Sequence, residues 1–122
     1  MVNTEKRVAI YCRVAKRDER ALALQVESMR AFVAGKVGWV LTGLYSDEAA
    51  SAETGKRDGL KKLLTDAQAR AFDIVAVHSF SRLARSRDLF ESINRTLTGN
   101  AIEIVSATGE VFLRYGFDDN GK

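Results

Sequence analysis

Short apolar runs alternate with helix-length amphipathic segments along this chain. Val8–Cys12 is continuously apolar between charged neighbours, which is typical of a central, parallel strand that is covered on both faces. From Glu19 to Gly35 the apolar positions are instead spaced by four, three and four residues: Leu22, Val26, Met29 and Val33. That spacing predicts an amphipathic helix with one buried stripe, closed by Gly35.

The same two patterns recur further along the chain. They predict strands at Trp39–Tyr45, Phe72–His78 and Ile102–Val105, and a short edge strand at Val111–Tyr115. Between these strands we expect two more helices, one capped by Asp58 and the other capped by Ser86. Their apolar sides carry two sets of residues: Leu60, Leu63, Leu64, Ala67 and Ala71 in the first, and Phe90, Ile93 and Leu97 in the second.

This alternation of strands and helices predicts an α/β fold. We expect a three-layer αβα architecture whose central sheet holds four to five mostly parallel strands. The 122 residues contain no visible linker or repeat, which predicts a single domain over residues 1–122. Apolar residues make up 46% of the chain and charged residues 29%, a balance that excludes wholesale disorder.

Charge and cysteine content narrow the possible partners. A net charge of +3 is compatible with a polyanionic partner. Cys12 is the only cysteine, which excludes an intramolecular disulfide and a cysteine-rich zinc site. The chain has no signal-like apolar start and no apolar run of about 18 residues, so we predict a soluble, cytoplasmic protein with no membrane partner.

Arginines follow the carboxyl ends of the predicted strands. Arg13 comes directly after the first strand, Arg57 ends the loop that begins at Asp47 after the second, and Arg82 and Arg85 follow the third. Function in open α/β sheets gathers at this edge, and guanidinium groups match phosphate oxygens in bidentate geometry. We therefore predict a site for a polyanion, with nucleic-acid phosphate as the plainest candidate. In the alternative, the arginines are solvated surface charges or pair with nearby carboxylates: Asp47, Glu48 and Asp88.

Other kinds of site find less support in the sequence. Thr54–Arg57 is similar to a phosphate loop, but Ser or Thr should follow its lysine, and no Gly-x-Gly-x-x-Gly follows a strand. Cys12 and His78 lie near the ends of neighbouring predicted strands and could form a thiolate–imidazole pair in a flavodoxin-like thiol enzyme. A lone buried cysteine is more often an inert small hydrophobe.

Several segments resemble the serine site-specific recombinases of the resolvase–invertase family. Val8–Ala15 is similar to that family's first strand and active-site turn, where the family reads Tyr-x-Arg-Val-Ser. Lys56–Leu60, Phe72–Val77 and Ser81–Arg85 are similar to further motifs of the family, in the family's order. The resemblance covers about residues 5–108 and implies a resolvase-like catalytic-type domain.

The resemblance implies a phosphodiester-binding site and a reaction. The site would comprise phosphate-binding arginines, two supporting residues and one organiser: Arg13, Arg82 and Arg85; Arg57 and Gln25; and Asp47. Members of the family cut DNA by attack of a serine hydroxyl on phosphorus, which leaves a phosphoserine link and a free 3′ hydroxyl. They exchange strands within a tetramer and need no metal or nucleotide cofactor. DNA and, for the full-length protein, further copies of the same chain are therefore the expected partners.

Two positions depart from the family's pattern. Ala15 stands where the nucleophilic serine belongs, and a methyl group cannot attack phosphorus, so we predict a domain that is inactive in strand cleavage. Ser81 stands where the family usually has an acidic residue, which affects leaving-group protonation or the holding of Arg82. We do not expect any neighbouring hydroxyl to replace the nucleophile: Ser51, Ser79, Ser81 or Tyr11.

An alternative function is a non-catalytic module, derived from this family, that binds DNA or pairs with an active recombinase. The family's long dimerisation helix and its DNA-binding region are not expected within residues 1–122. We therefore expect no tight sequence-specific DNA binding from this chain alone.

Overall fold

The computed structural model describes residues 5–48 and 57–110, in which strands and helices alternate. The elements are β1 (Lys6–Val14), α1 (Glu19–Ala34), β2 (Trp39–Glu48), α2 (Asp58–Gln68), β3 (Ile74–Val77), α3 (Arg87–Thr98) and β4 (Glu103–Ser106). A short 3₁₀ helix, Phe80–Arg82, lies between β3 and α3. The predicted edge strand Val111–Tyr115, the loop residues 49–56 and Ser51 within them lie outside the described residues.

The four described strands form one parallel sheet in the order β2-β1-β3-β4. This arrangement confirms the predicted three-layer αβα fold. The chain moves from β1 to β2 in one direction, then returns past β1 to β3 and continues outward to β4. Because such crossovers are right-handed, the reversal places α1 on one face of the sheet and α2 and α3 on the other. The strand order reverses between β1 and β3, so residues that follow these two strands meet at one crevice.

β1 is the centre of both hydrophobic cores. Its residues Val8, Ile10 and Cys12 pack beneath α1, while the alternate residues Ala9 and Tyr11 pack on the face that α2 and α3 cover. All five side chains are fully buried. A continuous apolar run is required here because a strand with helices on both faces has no solvent side.

An irregularity in the pairing of β1 with β2 decides which way the end of β2 faces. The register shifts after Val8, which pairs with Leu41, so that Ala9 pairs with Gly43. Before the shift Leu41 packs on the α1 side, and after it Tyr45 packs on the α2 side. One extra residue turns every later side chain of the strand to the opposite face. The shift therefore aims Asp47 at α2.

Several element boundaries differ from the sequence predictions. β1 runs two residues further at each end than Val8–Cys12, because its pairing with β2 continues through Val14 opposite Glu48. β2 itself runs past Tyr45 to Glu48 for the same reason. β3 is shorter than Phe72–His78, and β4 lies one residue later than Ile102–Val105.

The helix caps were predicted partly correctly. Ser86 caps α3 as expected, its Oγ accepting from Leu89 N–H at 3.1 Å, and Gly35 ends α1. The prediction that Asp58 caps α2 was wrong, because Asp58 is the first residue of the helix and Arg57 occupies the cap position without a side-chain capping bond. Ala71 lies beyond the end of α2 and is exposed, so it does not belong to the helix's apolar side.

Candidate functional site

Arg13 and Arg82 join the carboxyl ends of β1 and β3 through reciprocal hydrogen bonds. Arg13 Nε donates to the carbonyl of Arg82 at 3.1 Å, and Arg13 Nη2 donates to the carbonyl of Ser81 at 3.2 Å. In return, Arg82 Nη1 donates to the carbonyl of Arg13 at 3.2 Å. Arg13 is only 2% exposed, although it lies at the end of its strand. Two guanidinium groups from different crossover units therefore meet at the point where the strand order reverses.

Arg57 holds the same turn from the α2 side. Its Nη1 donates to the carbonyl of Leu83, and its Nη2 donates to the carbonyl of Arg82 at 2.9 Å and to the hydroxyl of Tyr11 at 2.9 Å. Arg57 is 6% exposed. Arg13 and Arg57 thus donate to three consecutive carbonyls of the 81–83 turn. For these two arginines, burial excludes the alternative of solvated surface charges, whereas Arg85 is exposed.

Asp47 organises the other side of the cluster. Its Oδ2 accepts from the Tyr11 hydroxyl at 2.7 Å and from Leu60 N–H at 3.0 Å, and its Oδ1 accepts from Gly59 N–H at 2.8 Å. Asp47 thereby satisfies free N–H groups in the first turn of α2, which Asp58 was predicted to do. The helix can approach this closely because residue 59 is glycine: a Cβ there would lie 2.2 Å from the Ser46 carbonyl oxygen.

Tyr11 is a further member of this network, and it was not among the predicted site residues. Its hydroxyl donates to Asp47 and accepts from Arg57, and so links the carboxylate to the guanidinium. Burial, reinforced by the hydrogen bond to Asp47, raises the pKa of Tyr11 well above its usual range, so the hydroxyl stays protonated. The available signal was a tyrosine within an otherwise aliphatic run, because a buried tyrosine hydroxyl needs a polar partner.

Gln25 fixes the backbone of Arg13 from the α1 side. Its Oε1 accepts from the Arg13 N–H at 3.0 Å, and its Nε2 donates to the Arg13 carbonyl at 3.2 Å. The amide therefore contacts both backbone groups of one residue, in the way that a neighbouring strand would. Gln25, predicted as a supporting residue of the site, therefore contacts the backbone of Arg13.

The positive charges of the cluster act on one another. Burial of Arg13, together with the nearby charges of Arg57, Arg82 and Arg85, lowers the pKa of the Arg13 guanidinium. Arg85 is exposed and Arg82 is partly exposed, whereas the other two are buried. Among residues 5–48 and 57–110, Arg82 Nε is buried without a hydrogen-bond partner. The charges of Arg57, Arg82 and Arg85 therefore all act on Arg13. Arg13 and Arg57 form a buried pair, and Arg82 and Arg85 form a more exposed pair.

Ala15 lies at the edge of this cluster. It is an exposed residue in the bend directly after β1, two positions beyond Arg13, and so on the same edge of the sheet as Arg82. Ser81, also exposed, makes an Oγ–Oγ contact of 3.0 Å with Ser79 in the turn after β3. Residue 15, two positions after the buried Arg13, therefore carries a methyl group and no hydroxyl.

The thiol of Cys12 lies on the other face of β1. It is fully buried beneath α1, and burial raises the pKa of Cys12 to about 12. A thiol with that pKa is protonated near neutral pH and is a poor nucleophile. The geometry and the pKa both argue against the alternative of a thiol enzyme that uses Cys12 and His78.

The described residues contain few features that suggest other kinds of site. Residues 5–48 and 57–110 bring together no group of three or more His, Cys, Asp or Glu side chains that could hold a metal ion. Within the same ranges, no helix combines the length and the apolar character needed to cross a bilayer.

Comparisons with known proteins agree on one family. The family model described as "Resolvase, N terminal domain" matches residues 8–120. The catalytic domain of ISC1926 TnpA, an IS607-like serine recombinase, is 26% identical with a TM-score of 0.75, covering 83% of this chain and 69% of its own. The N-terminal catalytic domain of TP901-1 integrase is 29% identical with a TM-score of 0.75, covering 84% and 79%.

A serine recombinase from Sulfolobus solfataricus is 25% identical with a TM-score of 0.71, covering 88% of this chain and 71% of its own. No curated protein sequence matches this chain significantly.

Proposed function

This chain belongs to the resolvase N-terminal domain family, and we propose that its arginine cluster binds a phosphodiester of DNA without cutting it. The chain is a serine recombinase catalytic-type domain by its family and its structural neighbours. Alanine at position 15 distinguishes this chain from a domain that carries a serine nucleophile there.

The observation that carries the proposal is the reciprocal pairing of Arg13 with Arg82 next to Ala15. It gathers cationic side chains from β1 and from the turn after β3 around one crevice. Arg13 and Arg57 already donate hydrogen bonds to turn carbonyls. We therefore assign to them the roles of holding the site together and supplying positive potential. The more exposed Arg82 and Arg85 are the groups we propose for direct contact with phosphate oxygens.

Charge elsewhere along this edge supports a long polyanion as the ligand. Lys16, Arg17 and Arg20 are exposed in the bend after β1 and in the first turn of α1. Arg87 is exposed at the beginning of α3. Both helices begin at the carboxyl edge of the sheet, so these cations flank the arginine cluster. A backbone with one charge per phosphate can contact several of them at once.

We propose that this site binds the phosphodiester but does not cleave it. Arginines held in place can neutralise the phosphoryl oxygens of a transition state, but a nucleophile must still attack phosphorus. The side chain of Ala15 has no atom that can form the phosphate ester bond. No covalent protein–DNA link therefore forms through residue 15, and loss of a covalent nucleophile costs many orders of magnitude in rate.

Ala15 also favours a second function, in which the domain acts as a binding module. A recombinase-type domain that cannot cut could occupy DNA or pair with an active recombinase and so regulate it. The two functions differ in partner: the first needs DNA alone, and the second needs stoichiometric association with a recombinase that retains its serine.

The test is to measure binding of a labelled duplex oligonucleotide by fluorescence anisotropy over a range of salt concentrations. We expect binding that weakens as salt rises, because each phosphate contact releases condensed counterions. The same mixtures, run on a denaturing gel, should contain no covalent adduct. Absence of binding at low salt would contradict the proposed function, and an adduct that survives denaturation would contradict the assignment of Ala15.

A further inference from the structure

Glu110 links the segment after β4 to the turn that carries Arg82. Its Oε1 accepts a hydrogen bond from the backbone N–H of Phe80 at 2.6 Å and another from Ser106 Oγ at 3.1 Å. Ser106 is 6% exposed, and its Oγ also lies 3.3 Å from the carbonyl oxygen of His78. A carboxylate from beyond β4 is therefore hydrogen-bonded at the N-terminal end of the 3₁₀ helix Phe80–Arg82.

The far end of the same turn is held by the two buried arginines. Arg13 donates to the carbonyls of Ser81 and Arg82, and Arg57 donates to those of Arg82 and Leu83. The turn thus has a negative partner at its first N–H and positive partners at its last carbonyls. Peptide dipoles in a helical turn point their positive end toward the N-terminus, so both sets of contacts align with the local dipole.

We propose that Glu110 is a positioning residue for phosphate binding, acting through the Phe80 N–H to set the position of Arg82. This inference rests on the proposed function of the arginine cluster. Phe80 lies two residues before Arg82 in this short helix, so breaking the hydrogen bond at Phe80 lets the N-terminal end of the turn shift while Arg13 and Arg57 still hold its carbonyls. Arg82 then loses its bond to the Arg13 carbonyl, which fixes its guanidinium at the crevice.

The direction in which DNA affinity changes when Glu110 is removed distinguishes a positioning role from a purely electrostatic one. Glu110 is an anion, so removing it raises the local positive potential and, by Coulomb attraction alone, tightens DNA binding. Loss of positioning has the opposite effect. The structure therefore predicts weaker DNA binding for Glu110→Ala, by about tenfold, which is the loss expected for one charge-assisted hydrogen bond.

Three further variants complete the design. Glu110→Gln removes the charge but keeps an oxygen that can accept from Phe80 N–H, so we expect binding equal to or tighter than that of the parent chain. Glu110→Asp keeps the charge but is one methylene shorter, so we expect weakened binding at unchanged net charge. Glu103→Ala removes an exposed glutamate at the other end of the neighbouring strand β4, and should not weaken binding.

The experiment measures duplex binding by anisotropy for the parent and these variants, with two NMR readouts on the free proteins. One readout is amide hydrogen exchange at Phe80, and the other is the Nε–Hε signal of Arg82. We expect faster exchange and a shifted Arg82 signal in the Ala and Asp variants only. If the parent fails to bind DNA, the proposed function fails, while the two NMR readouts still decide whether Glu110 positions Arg82.

Two results would overturn the inference. One is a Glu110→Ala chain that binds DNA as tightly as the parent or more tightly. The other is an Arg82 signal that does not change when the Phe80 amide loses its protection. If Glu110→Ala does not fold, the Asp and Gln variants decide the question. Glu110→Gln and Glu110→Asp differ by one negative charge, as Glu103→Ala and the parent do. Positioning therefore requires the ratio of affinities between Gln and Asp to be larger than the ratio between Glu103→Ala and the parent.

Discussion

Arg13 and Arg82 each donate a side-chain hydrogen bond to the backbone carbonyl of the other, at 3.1 and 3.2 Å. The pair locks the end of β1 to the turn after β3, with Ala15 two residues away from Arg13. A residue that looks like a surface cation in the sequence is therefore a structural support of the site as well as part of its charge. Substitution of Arg13 or Arg82 should therefore change both the free energy of unfolding and the affinity for DNA, and the two effects can be measured separately.

Removing the Arg13 side chain should cost stability. Arg13→Met keeps the bulk but takes the donors away from the Ser81 and Arg82 carbonyls, so we expect the free energy of unfolding to fall by about 3 kcal/mol. Urea unfolding followed by circular dichroism measures it. Arg17→Ala, an exposed cation in the following bend, is the matched control and should change stability by less than about 0.5 kcal/mol. Equal effects of the two substitutions would contradict the buried role of Arg13.

Gly59 should tolerate no side chain. In Gly59→Ala the new Cβ would meet the Ser46 carbonyl carbon at 2.8 Å as well as its oxygen, which forces α2 away from Asp47 and costs about 1–3 kcal/mol. Gly35→Ala provides the control, because a Cβ there has its nearest contact at 3.5 Å and the backbone φ is −79°. Thermal unfolding should separate the two variants clearly. A Gly59→Ala chain as stable as Gly35→Ala would show that α2 does not approach β2 as described.

Cys12 should make the fold sensitive to alkali. Burial raises the pKa of Cys12 to about 12 from an ordinary value near 9, so the folded state prefers the protonated thiol. The stability that this preference contributes is fully present below about pH 9 and is lost as the pH rises toward 12. Tyr45 behaves in the same sense, since burial and its bond to Asp66 raise the pKa of Tyr45 to about 12.

The measurement is thiol reaction with a disulfide reagent from pH 7 to 10, alongside urea unfolding at the same pH values. We expect slow labelling at pH 7, limited by opening of the structure, and a Cys12→Ala chain that loses less stability between pH 9 and 10 than the parent. Rapid labelling of the folded chain at pH 7 would contradict the buried thiol and reopen the thiol-enzyme alternative.

A hydroxyl introduced at residue 15 should give little DNA cleavage on its own. Ala15→Ser supplies a nucleophile beside the arginines, but Ser81 stands where the family usually has an acidic residue, so we expect at most weak covalent DNA adduct on a denaturing gel. The double variant Ala15→Ser with Ser81→Asp should form more. Robust cleavage by the single variant would show that Ser81 is no obstacle, and no gain from the second substitution would contradict a role for that position.

The sequence was sufficient for the fold class because β1 and the helix stripes carry an unambiguous pattern. Val8–Cys12 has the continuous apolar character of a doubly covered strand, and the Phe90, Ile93 and Leu97 stripe lies inward in α3 as predicted. Strand ends were less predictable, because pairing with a neighbouring strand extends β1 and β2 beyond their apolar runs. The pattern of apolar residues indicates which side chains are buried, whereas the length of a strand depends on backbone hydrogen bonds with its neighbour.

The sequence indicated which arginines lie at one edge of the sheet, but neither the place of Tyr11 among them nor what each arginine contacts. Parallel strand ends share one edge, which was enough to gather Arg13, Arg57 and Arg82. Nothing in their spacing indicated that two of them would be buried against turn carbonyls. The register shift that turns Asp47 toward α2 is equally invisible in sequence, since one extra residue in β2 leaves its apolar pattern almost unchanged.

The most direct test of the arginine cluster compares Arg82→Ala with Arg30→Ala, an exposed arginine in the second half of α1, away from the crevice. Duplex binding is measured by anisotropy as a function of salt concentration. We predict that Arg82→Ala weakens binding at every salt concentration and lowers the slope of log K against log salt by about one, while Arg30→Ala changes neither appreciably. Equal affinities and slopes for the two variants would contradict a phosphodiester site at the ends of β1 and β3.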